Sequence, residues 1–589
     1  MNQPFTDWDD DLPPEPEEAY QDLLRALKRK SGFGLFFVQC MPGEADKFIA
    51  KLPQEIPHKV IAVLRFVEPI DNLYQRVTEF VEDKQVDILL IKGLEYSLYK
   101  YEQRTFGEIT ESQFSNLISV PPILNHLNQQ RERFRDDFPF SFVFLLRSFS
   151  INYLIHRAPD FFDWRSGVFE LSTTPEVVDE ESSRFLDEAD YEEYLKLTPE
   201  EKIEKVLEIQ DLLLEKHQKD SLKANLLREL GRLLVSSKEY EASLIFYNQA
   251  LKIQHDFHYA WYNKGNALKN LGRNEEAIAS YDQALKIQPD FHYAWNGKGN
   301  ALKNLGRNEE AIASYDQALK IQPDFHYAWN GKGNALKNLG RNEEAIASYD
   351  QALKIQPDFH YAWNGKGNAL VNLGRNEEAI ASYDQALKIQ PDFHYAWNGK
   401  GNALVNLGRN EEAIASYDQA LKIQPDYYYA WNGKGIALKN LGRNEEAIAF
   451  YDQALKIQPD YYYAWNGKGN GLKNLGRNEE AIASYDQALK IQPDYYYAWT
   501  GKGIALVNLG RNEEAIASYD QALKIQPDYD CAFYNKACCY ALQGNSEQAL
   551  ENLQQAVNLS PDKYHEIAKT DSDFDGIRND ERFQSLIKK

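Results

Sequence analysis

The sequence predicts an α/β N-terminal three-layer domain followed by an all-α solenoid of repeated helix pairs. Eight tryptophans, from Trp261 to Trp499, are spaced 34 residues apart, so much of the chain is an internal repeat. Each unit contains two segments whose apolar residues recur every three to four positions, as on one face of a helix. Residues 20–171 instead alternate strand patterns with helical patterns, which indicates a parallel sheet covered on both faces.

The composition restricts the kinds of partner that the chain would bind. Its 589 residues include 89 Asp and Glu against 66 Lys and Arg, which gives a formal net charge of −23. This balance predicts that neither nucleic acid nor a membrane is a partner, because nucleic acids and anionic membranes are bound through basic faces. No apolar run approaches the ~20 residues that span a bilayer, and 4 cysteines make no disulfide framework. The sequence therefore predicts a cytoplasmic protein in a reducing compartment.

The α/β domain is predicted over residues 20–171, after an acidic, disordered N-terminus at residues 1–19. The first four of its five strand patterns are dense in Val, Ile, Leu and Phe, as strands covered on both faces are. The strand patterns are Phe33–Gln39, Lys59–Phe66, Val86–Ile91, Phe140–Leu146 and Gly167–Leu171. The helical patterns between them are Glu44–Leu52, Ile70–Glu82, Ile123–Phe138 and Ile151–Phe162.

A phosphate-binding loop would follow the first strand of such a domain. The residues there include a single glycine, Gly43, and no Ser or Thr follows Lys47. Glu44 and Asp46 would repel a polyphosphate, and Lys92 ends the third strand where an acid would hold magnesium. The sequence therefore predicts that the domain binds no cofactor and that the protein is not an enzyme.

The end of this domain resembles a known family. The stretches 127–132 and 158–170, with the strand that ends at Leu146, resemble the end of the P-loop ATPase-like domain of bacterial STAND-type signalling proteins. With the defective phosphate loop, the resemblance implies a degenerate nucleotide-binding domain used for protein interaction or for assembly into a homo-oligomer. A nucleotide-regulated signalling switch and an unrelated α/β domain remain the alternatives.

Two segments connect this domain to the repeats. Residues 172–197 lie in an acid-rich stretch and are predicted to be a partly mobile acidic linker. Residues 198–223 are predicted to be a linker helix that packs on the first repeat. Thr198 followed by Pro199 and by Glu201 is the pattern of a capping box at a helix start.

The repeat unit resembles the tetratricopeptide repeat (TPR) family. A large aromatic residue, a glycine, a leucine, an alanine, an aromatic, an alanine and a proline stand at the family's positions. These residues are Trp261, Gly265, Leu268, Ala277, Tyr281, Ala284 and Pro289. Ten repeats are predicted over residues 224–563. The resemblance implies an all-α superhelical solenoid, right-handed, whose first helices line a concave groove that binds a protein or peptide ligand.

The predicted groove is lined by polar residues of the first helices, and no catalytic residue is predicted. Stacked Asn amides offer donors and acceptors to the backbone of an extended peptide, and Tyr adds rigid contact area. A solvated face that binds nothing is the alternative. The candidate peptide-binding residues are Tyr293, Asn296, Asn300, Asn304, Asn330, Asn334, Asn338, Asn364 and Asn368. Some TPR proteins bind chaperone carboxylates through a basic clamp, but the matching positions here are uncharged.

Three features that suggest metal or redox chemistry are interpreted as structural. Five histidines, from His258 to His394, step by 34 residues, but neighbouring repeats lie about 10 Å apart, too far to share one zinc ion. Asp571 begins half of a calcium loop, but Arg582 stands where that loop needs a glutamate. Residues 564–589 are therefore predicted to be a C-terminal capping helix. The C-terminal cysteines are interpreted as packing residues.

Together these interpretations predict a non-catalytic protein–protein interaction scaffold. The TPR groove would bind a peptide or partner protein, and the N-terminal domain would be an assembly or effector module. The alternative is a STAND-type switch regulated by nucleotide.

Overall fold

The computed structural model describes residues 16–66, 70–94, 97, 122–147, 150–151, 154–155, 158–171, 175–214 and 218–588. The chain divides into two units, residues 1–305 and residues 306–589. Most of the predicted disordered N-terminus lies outside the described residues. The part that is described belongs to a helix, Pro16–Arg29, so the ordered domain begins earlier than the predicted residue 20.

The first unit contains a five-stranded sheet in which all strand pairs are parallel. Its strands lie in the order β2-β3-β4-β1-β5. The strands are β1 Gly34–Gln39, β2 Ile61–Arg65, β3 Ile88–Lys92, β4 Ser141–Leu146 and β5 Gly167–Glu170. The helices that accompany them are α1 Pro16–Arg29, α2 Pro42–Glu55, α3 Leu73–Val81, α4 Pro122–Asp137 and α5 Pro159–Phe162. The five predicted strands are confirmed, with ends that differ by one or two residues.

Alternation along the central strands produces the three layers. In β1, Leu35 and Phe37 join a core that includes residues of α3, α4 and α5. Phe36 and Val38 join a second core with residues of α1 and α2 on the opposite face. Because successive side chains of a strand point to opposite faces, a strand that is apolar at every position is covered on both sides. The predicted α/β three-layer domain is confirmed.

The acidic segment after the sheet is helical, which differs from the predicted mobile linker. Its described part forms α6 Pro175–Glu188 and α7 Tyr191–Lys196, and α8 Pro199–Leu214 follows. Phe185 and Tyr194 are buried in a core shared with α8 and with the first repeat. The acidic residues lie between these apolar positions, so the segment forms amphipathic helices although its charge density is high. The capping box is present, since the Thr198 hydroxyl accepts from the Glu201 amide and the Glu201 carboxylate from the Thr198 amide.

Helix pairs recur every 34 residues in both units. The first unit contains Asp220–Ser236, Tyr240–Ile253, His258–Asn270, Asn274–Ile287 and His292–Asn304. The second unit contains Asn308–Ile321, His326–Asn338, Asn342–Ile355, His360–Asn372, Asn376–Ile389, His394–Asn406, Asn410–Ile423, Tyr428–Asn440, Asn444–Ile457, Tyr462–Asn474, Asn478–Ile491, Tyr496–Asn508, Asn512–Ile525, Asp530–Leu542 and Ser546–Leu559. The first helix of the array begins at Asp220, four residues before the predicted start of the repeats.

A glycine ends the first helix of each near-identical repeat. Gly340 has a φ of +76°, which only glycine adopts without strain. Trp329 stabilises the turn that precedes its helix, because its indole Nε1 donates to the carbonyl of Pro323 at 2.9 Å. Within the second unit, first helices of successive repeats contact one another directly. They therefore form one continuous layer of helices.

The C-terminus is three short elements, where a single capping helix was predicted. They are Pro561–Thr570, a 3₁₀ turn at Ser572–Ile577, and Glu581–Leu586. Phe574 and Phe583 are fully buried and pack with Tyr534 of the last repeat. A helix cannot continue through Asp571 because that residue caps the 3₁₀ turn, its carboxylate accepting from the Asp573 amide. Among the described residues, no helix is both long enough and apolar enough to cross a membrane.

Candidate peptide-binding face

The predicted groove residues share one face of each first helix. In the repeat that begins at His326, the positions Tyr327, Asn330, Asn334 and Lys337 are spaced by three and four residues, so they point in similar directions. Tyr327 is 53% exposed, whereas the two asparagines and the lysine are half-buried. We call the equivalent positions of all repeats the first-helix face. The sequence-predicted peptide-binding residues lie as follows: Tyr293 exposed, Asn296, Asn300, Asn330, Asn334, Asn364 and Asn368 half-buried, and Asn304 and Asn338 exposed.

A tyrosine of the second helix lies directly beneath this face. Tyr349 is fully buried between two glycines, Gly333 of its own repeat and Gly365 of the next. A Cβ atom at Gly333 would come within 2.7 Å of the Tyr349 ring, and one at Gly365 within 2.6 Å. Neither distance is compatible with a side chain, so the two glycines allow the first helices to pack closely against the tyrosine.

The hydroxyl of this tyrosine orients an asparagine of the face. The Tyr349 hydroxyl donates to Oδ1 of Asn334 at 3.0 Å, and that of Tyr383 to Oδ1 of Asn368 at 2.8 Å. The same bond recurs in other repeats, at Tyr281–Asn266, Tyr417–Asn402 and Tyr485–Asn470. Because the core tyrosine holds Oδ1, Nδ2 lies on the other side of the amide, and the Asn334 side chain is partly exposed. The core tyrosine therefore turns the amide into an outward donor.

A second row of asparagines, at the positions equivalent to Asn330, also has its carbonyl oxygens turned inward. Oδ1 of Asn330 and Oδ1 of Asn364 are buried and have no hydrogen-bond partner in the described part of the chain. Both residues are partly exposed, and because Oδ1 is buried we expect Nδ2 to be the part of each amide nearer the surface. Both rows thus present amide donors outward and turn their carbonyl oxygens inward.

The third row of asparagines has a structural role between repeats. Nδ2 of Asn338 donates to Oδ1 of Asn308 at 3.4 Å, and Nδ2 of Asn304 to Oδ1 of Asn274 at 3.4 Å. These bonds join the end of a first helix to the start of the preceding second helix. This role was not predicted, and the peptide-binding role of these exposed residues stays a prediction.

A partly buried lysine completes the face in some repeats. Burial lowers the pKa of Lys337 below its ordinary value, and likewise that of Lys269 and of Lys439. No carboxylate of the described residues forms an ion pair with Lys337, whereas Lys332 on the side of the helix lies 2.6 Å from Asp316. The lysine row is interrupted, since Val371, Val405 and Val507 replace it in three repeats.

Aromatic rings form a continuous row along the edge of the face. The ring centroids of Tyr327 and Phe359 are 5.4 Å apart, and those of Phe359 and Tyr361 are 5.7 Å apart. The His326 ring packs against the Tyr327 ring at a tilt, with centroids 4.1 Å apart, and burial lowers the pKa of His326. The histidines that step by 34 residues therefore support the tyrosine row.

Two near-identical repeats lack the amide, because Ile436 and Ile504 stand where the others have the asparagine. Ile436 belongs to the repeat of the core tyrosine Tyr451. The hydroxyl of Tyr451 beneath it is buried and has no partner among the described residues. Sequence analysis predicted the asparagines but not the tyrosine hydroxyls that hold them. The recurrence of tyrosine at this buried position could have indicated the hydrogen bond, because phenylalanine would fill nearly the same volume without a hydroxyl.

The carboxyl ends of the strands in the first unit have a different electrostatic arrangement. The Asp46 carboxylate lies 2.8 Å from Lys92 Nζ and 3.0 Å from Arg65 Nη1. Burial alone would raise the pKa of Asp46, but the hydrogen bond and charge of Lys92 with those of Arg65 lower it. A Glu181 carboxylate oxygen lies 3.2 Å from the Cβ position of Gly43. Where a phosphate would bind, Lys92 and Arg65 therefore already pair with the Asp46 carboxylate, and Glu181 lies beside the loop at Gly43.

The C-terminal cysteines lie near two acids. The thiol of Cys538 and the carboxylates of Asp571 and Asp573 are mutually close enough to share an ion. However, Asp571 accepts from the Tyr534 hydroxyl at 2.7 Å and from the Asp573 amide at 3.0 Å. Burial raises the pKa of Cys538 and raises that of Cys539 to about 12. Cys538 and Cys539 are therefore buried packing residues.

Two family models match the repeat region. Both describe a tetratricopeptide repeat; one matches residues 262–325, 330–392, 398–462 and 466–530, and the other residues 518–551. No curated protein matches the chain.

Three solved structures are among those similar to this chain, and two of them are described as tetratricopeptide-repeat proteins. One from Parabacteroides merdae is 17% identical, covering 42% of this chain and 97% of its own, with a TM-score of 0.36. The Cut9–Hcn1 hetero-tetramer of the APC/C is 13% identical, covering 71% and 96%, with a TM-score of 0.39. YrrB, a TPR protein with an unusual peptide-binding site, is 23% identical, covering 32% and 98%, with a TM-score of 0.27. The assignment of the repeats rests on the family models and the helix-pair geometry.

Proposed function

We propose that this tetratricopeptide-repeat protein is a protein-interaction scaffold whose first-helix face binds an extended segment of a partner protein. The row of asparagine amides held by core tyrosine hydroxyls is the observation that carries this proposal. The hydroxyl of a buried tyrosine donates its single hydrogen to the amide oxygen of a partly exposed asparagine. This bond fixes the direction of that amide before a ligand binds. Such preorganisation reduces the ordering cost of binding.

The proposed ligand contacts are hydrogen bonds from neutral groups. Nδ2 of Asn334 and Nδ2 of Asn368 would donate to carbonyl groups of the bound segment, and the exposed tyrosines would pack on it. Because the amides carry no net charge, affinity should change little between low and moderate salt.

The test compares two triple variants of the full chain as bait for partners from a lysate. Asn334→Ala, Asn368→Ala and Asn402→Ala remove three outward amides. Gln351→Ala, Gln385→Ala and Gln419→Ala remove three exposed amides from the second helices and serve as the matched control.

Each lost partner bond costs about 1–3 kcal/mol if it is buried. Capture of the same partners should therefore fall at least about tenfold in the Asn variant, a change of about 1.4 kcal/mol, and stay unchanged in the Gln variant. Equal capture by the Asn variant and the parent would place recognition elsewhere.

The α/β domain is proposed to be a non-catalytic assembly or effector module. The pairing of Asp46 with Lys92 and Arg65, and Glu181 beside Gly43, support this proposal over a nucleotide switch. Thermal melting of the full chain with and without ATP and magnesium tests it. Ligand at 100 times its dissociation constant would stabilise the domain by about 2.7 kcal/mol. We expect no shift, and a reproducible upward shift would favour the switch.

A further inference from the structure

The first-helix face is rich in donors and poor in acceptors. From His326 to Asn508 the first helices contain no Asp or Glu. Oδ1 of Asn334 accepts from Tyr349, and Oδ1 of Asn330 is buried. The groups left outward are amide Nδ2 atoms, a lysine ammonium in some repeats, and tyrosines whose hydroxyls can both donate and accept.

This polarity selects among extended peptides. An ordinary backbone carries one N–H donor and one carbonyl acceptor per residue, and donors facing this surface would lose water and meet few acceptors beyond the tyrosine hydroxyls. A proline has a carbonyl and no N–H. A run of prolines is thus an all-acceptor backbone that complements the outward amide donors of this face.

The spacing of the tyrosines favours the same ligand. The centroid distances through Phe359 place Tyr327 and Tyr361 no more than about 11 Å apart, close to one helix diameter of about 10 Å. A polyproline II helix repeats every three residues at about 3.1 Å each, or about 9 Å per turn. One turn of such a helix therefore corresponds to one repeat of the protein.

Acidic peptides also carry many acceptors, but they fit the face less well. Carboxylates would need a cation at each step, and Val371 and Val405 interrupt the lysine row. The tyrosine row has no interruption from Tyr327 to Tyr497, with each ring 45–53% exposed. The continuous feature is aromatic, which suits proline rings.

We infer that the first-helix face of residues 326–406 binds a proline-rich segment in the polyproline II conformation, with one turn of the ligand on each repeat. This inference rests on the proposed function and specifies its ligand class. In these three repeats the pairs Tyr349–Asn334, Tyr383–Asn368 and Tyr417–Asn402 are all intact. The register ends at Ile436, where the outward donor is missing.

The experiment is calorimetric titration of the full chain with three peptides of equal length, about twelve residues each, which would span about four turns. One is oligoproline, one alternates Gly and Ser, and one alternates Glu and Gly. Two variants accompany the parent. Asn334→Asp, Asn368→Asp and Asn402→Asp keep an acceptor for each tyrosine hydroxyl but replace the outward donor with an acceptor. Gln351→Glu, Gln385→Glu and Gln419→Glu make the same charge change on exposed second-helix positions.

We expect oligoproline to bind the parent and the Glu variant equally, to bind the Asp variant at least about tenfold more weakly, and to bind better than either other peptide. Equal or tighter binding of the Gly-Ser or the Glu-Gly peptide would overturn the proline assignment. If no peptide binds while partner capture still depends on Asn334, Asn368 and Asn402, this inference fails and the scaffold proposal stands. If neither is observed, both fail.

Discussion

The carboxyl edge of the sheet and the first-helix face both carry polar groups in places where ligands bind, but their internal bonds differ. At the sheet, Asp46 pairs with Lys92 and Arg65, so those cations are already neutralised. On the repeats, Tyr349 engages only the acceptor of Asn334 and leaves its donor outward. These ion pairs leave neither Lys92 nor Arg65 free to bind an anionic ligand at the sheet. A hydrogen bond to the oxygen of an amide instead fixes the direction of that amide and leaves its nitrogen available to a ligand.

Removing a core tyrosine should have the largest effect on the array. Tyr349→Ala should lower the local unfolding free energy by about 3–5 kcal/mol, as large aromatic truncations do, because the ring is fully buried between Gly333 and Gly365. Tyr361→Ala removes an equal volume from a 53% exposed ring and should cost far less. Hydrogen exchange of the surrounding helices measures both. Similar losses at both positions would contradict the assignment of inner and outer tyrosines.

Adding a methyl group beside the same ring should have an intermediate effect. Gly365→Ala brings a Cβ to within 2.6 Å of Tyr349, and such overpacking costs about 1–3 kcal/mol. Gly471→Ala is the control, because its Cβ would meet Ile448 at 3.1 Å and other repeats carry alanine there. That change should be neutral or stabilising, since alanine favours helix over glycine by up to about 1 kcal/mol. The comparison is made by thermal melting and by local hydrogen exchange.

The ion pairs at the sheet should have a small, pH-dependent effect. The pKa of Asp46 is lowered in the folded state, so its pairing stabilises the domain above the ordinary aspartate pKa and is lost as pH falls through the lowered value. Because the carboxylate is half exposed, Asp46→Asn should cost no more than about 1 kcal/mol at pH 7. The difference between variant and parent, followed by hydrogen exchange in β2 and β3, should shrink in acid. A difference that persists unchanged in acid would contradict the ion-pair explanation.

The sequence predicted much of the fold because repetition and periodicity are local signals. The 34-residue tryptophan spacing located the helix pairs, and the apolar runs located β1 to β5. The prediction of a mobile linker at the acidic segment was wrong because it relied on the number of charged residues. The positions of Phe185 and Tyr194, not the charge count, determine which face of the segment packs against the core.

The candidate face was predicted only in part. Asparagines on one helical face follow from spacing alone. The bond between Tyr349 and Asn334 does not, because it joins two antiparallel helices whose relative rotation is set by packing against Gly333 and Gly365. The inter-repeat role of Asn338 was missed for the same reason, since its partner Asn308 belongs to the preceding repeat.

The most direct test of the central claim, that core hydroxyls orient the outward amides, compares Tyr349→Phe with Tyr451→Phe by hydrogen exchange in the full chain. Tyr349→Phe loses its bond to Asn334 and should lower local stability by about 0.5–1.5 kcal/mol. Tyr451→Phe loses no bond, because Ile436 offers no acceptor and the hydroxyl is buried without a partner in the described chain. It should therefore be neutral or stabilising, and Ile436→Asn should stabilise the parent more than the Tyr451→Phe variant. Equal losses in the two phenylalanine variants would contradict the account.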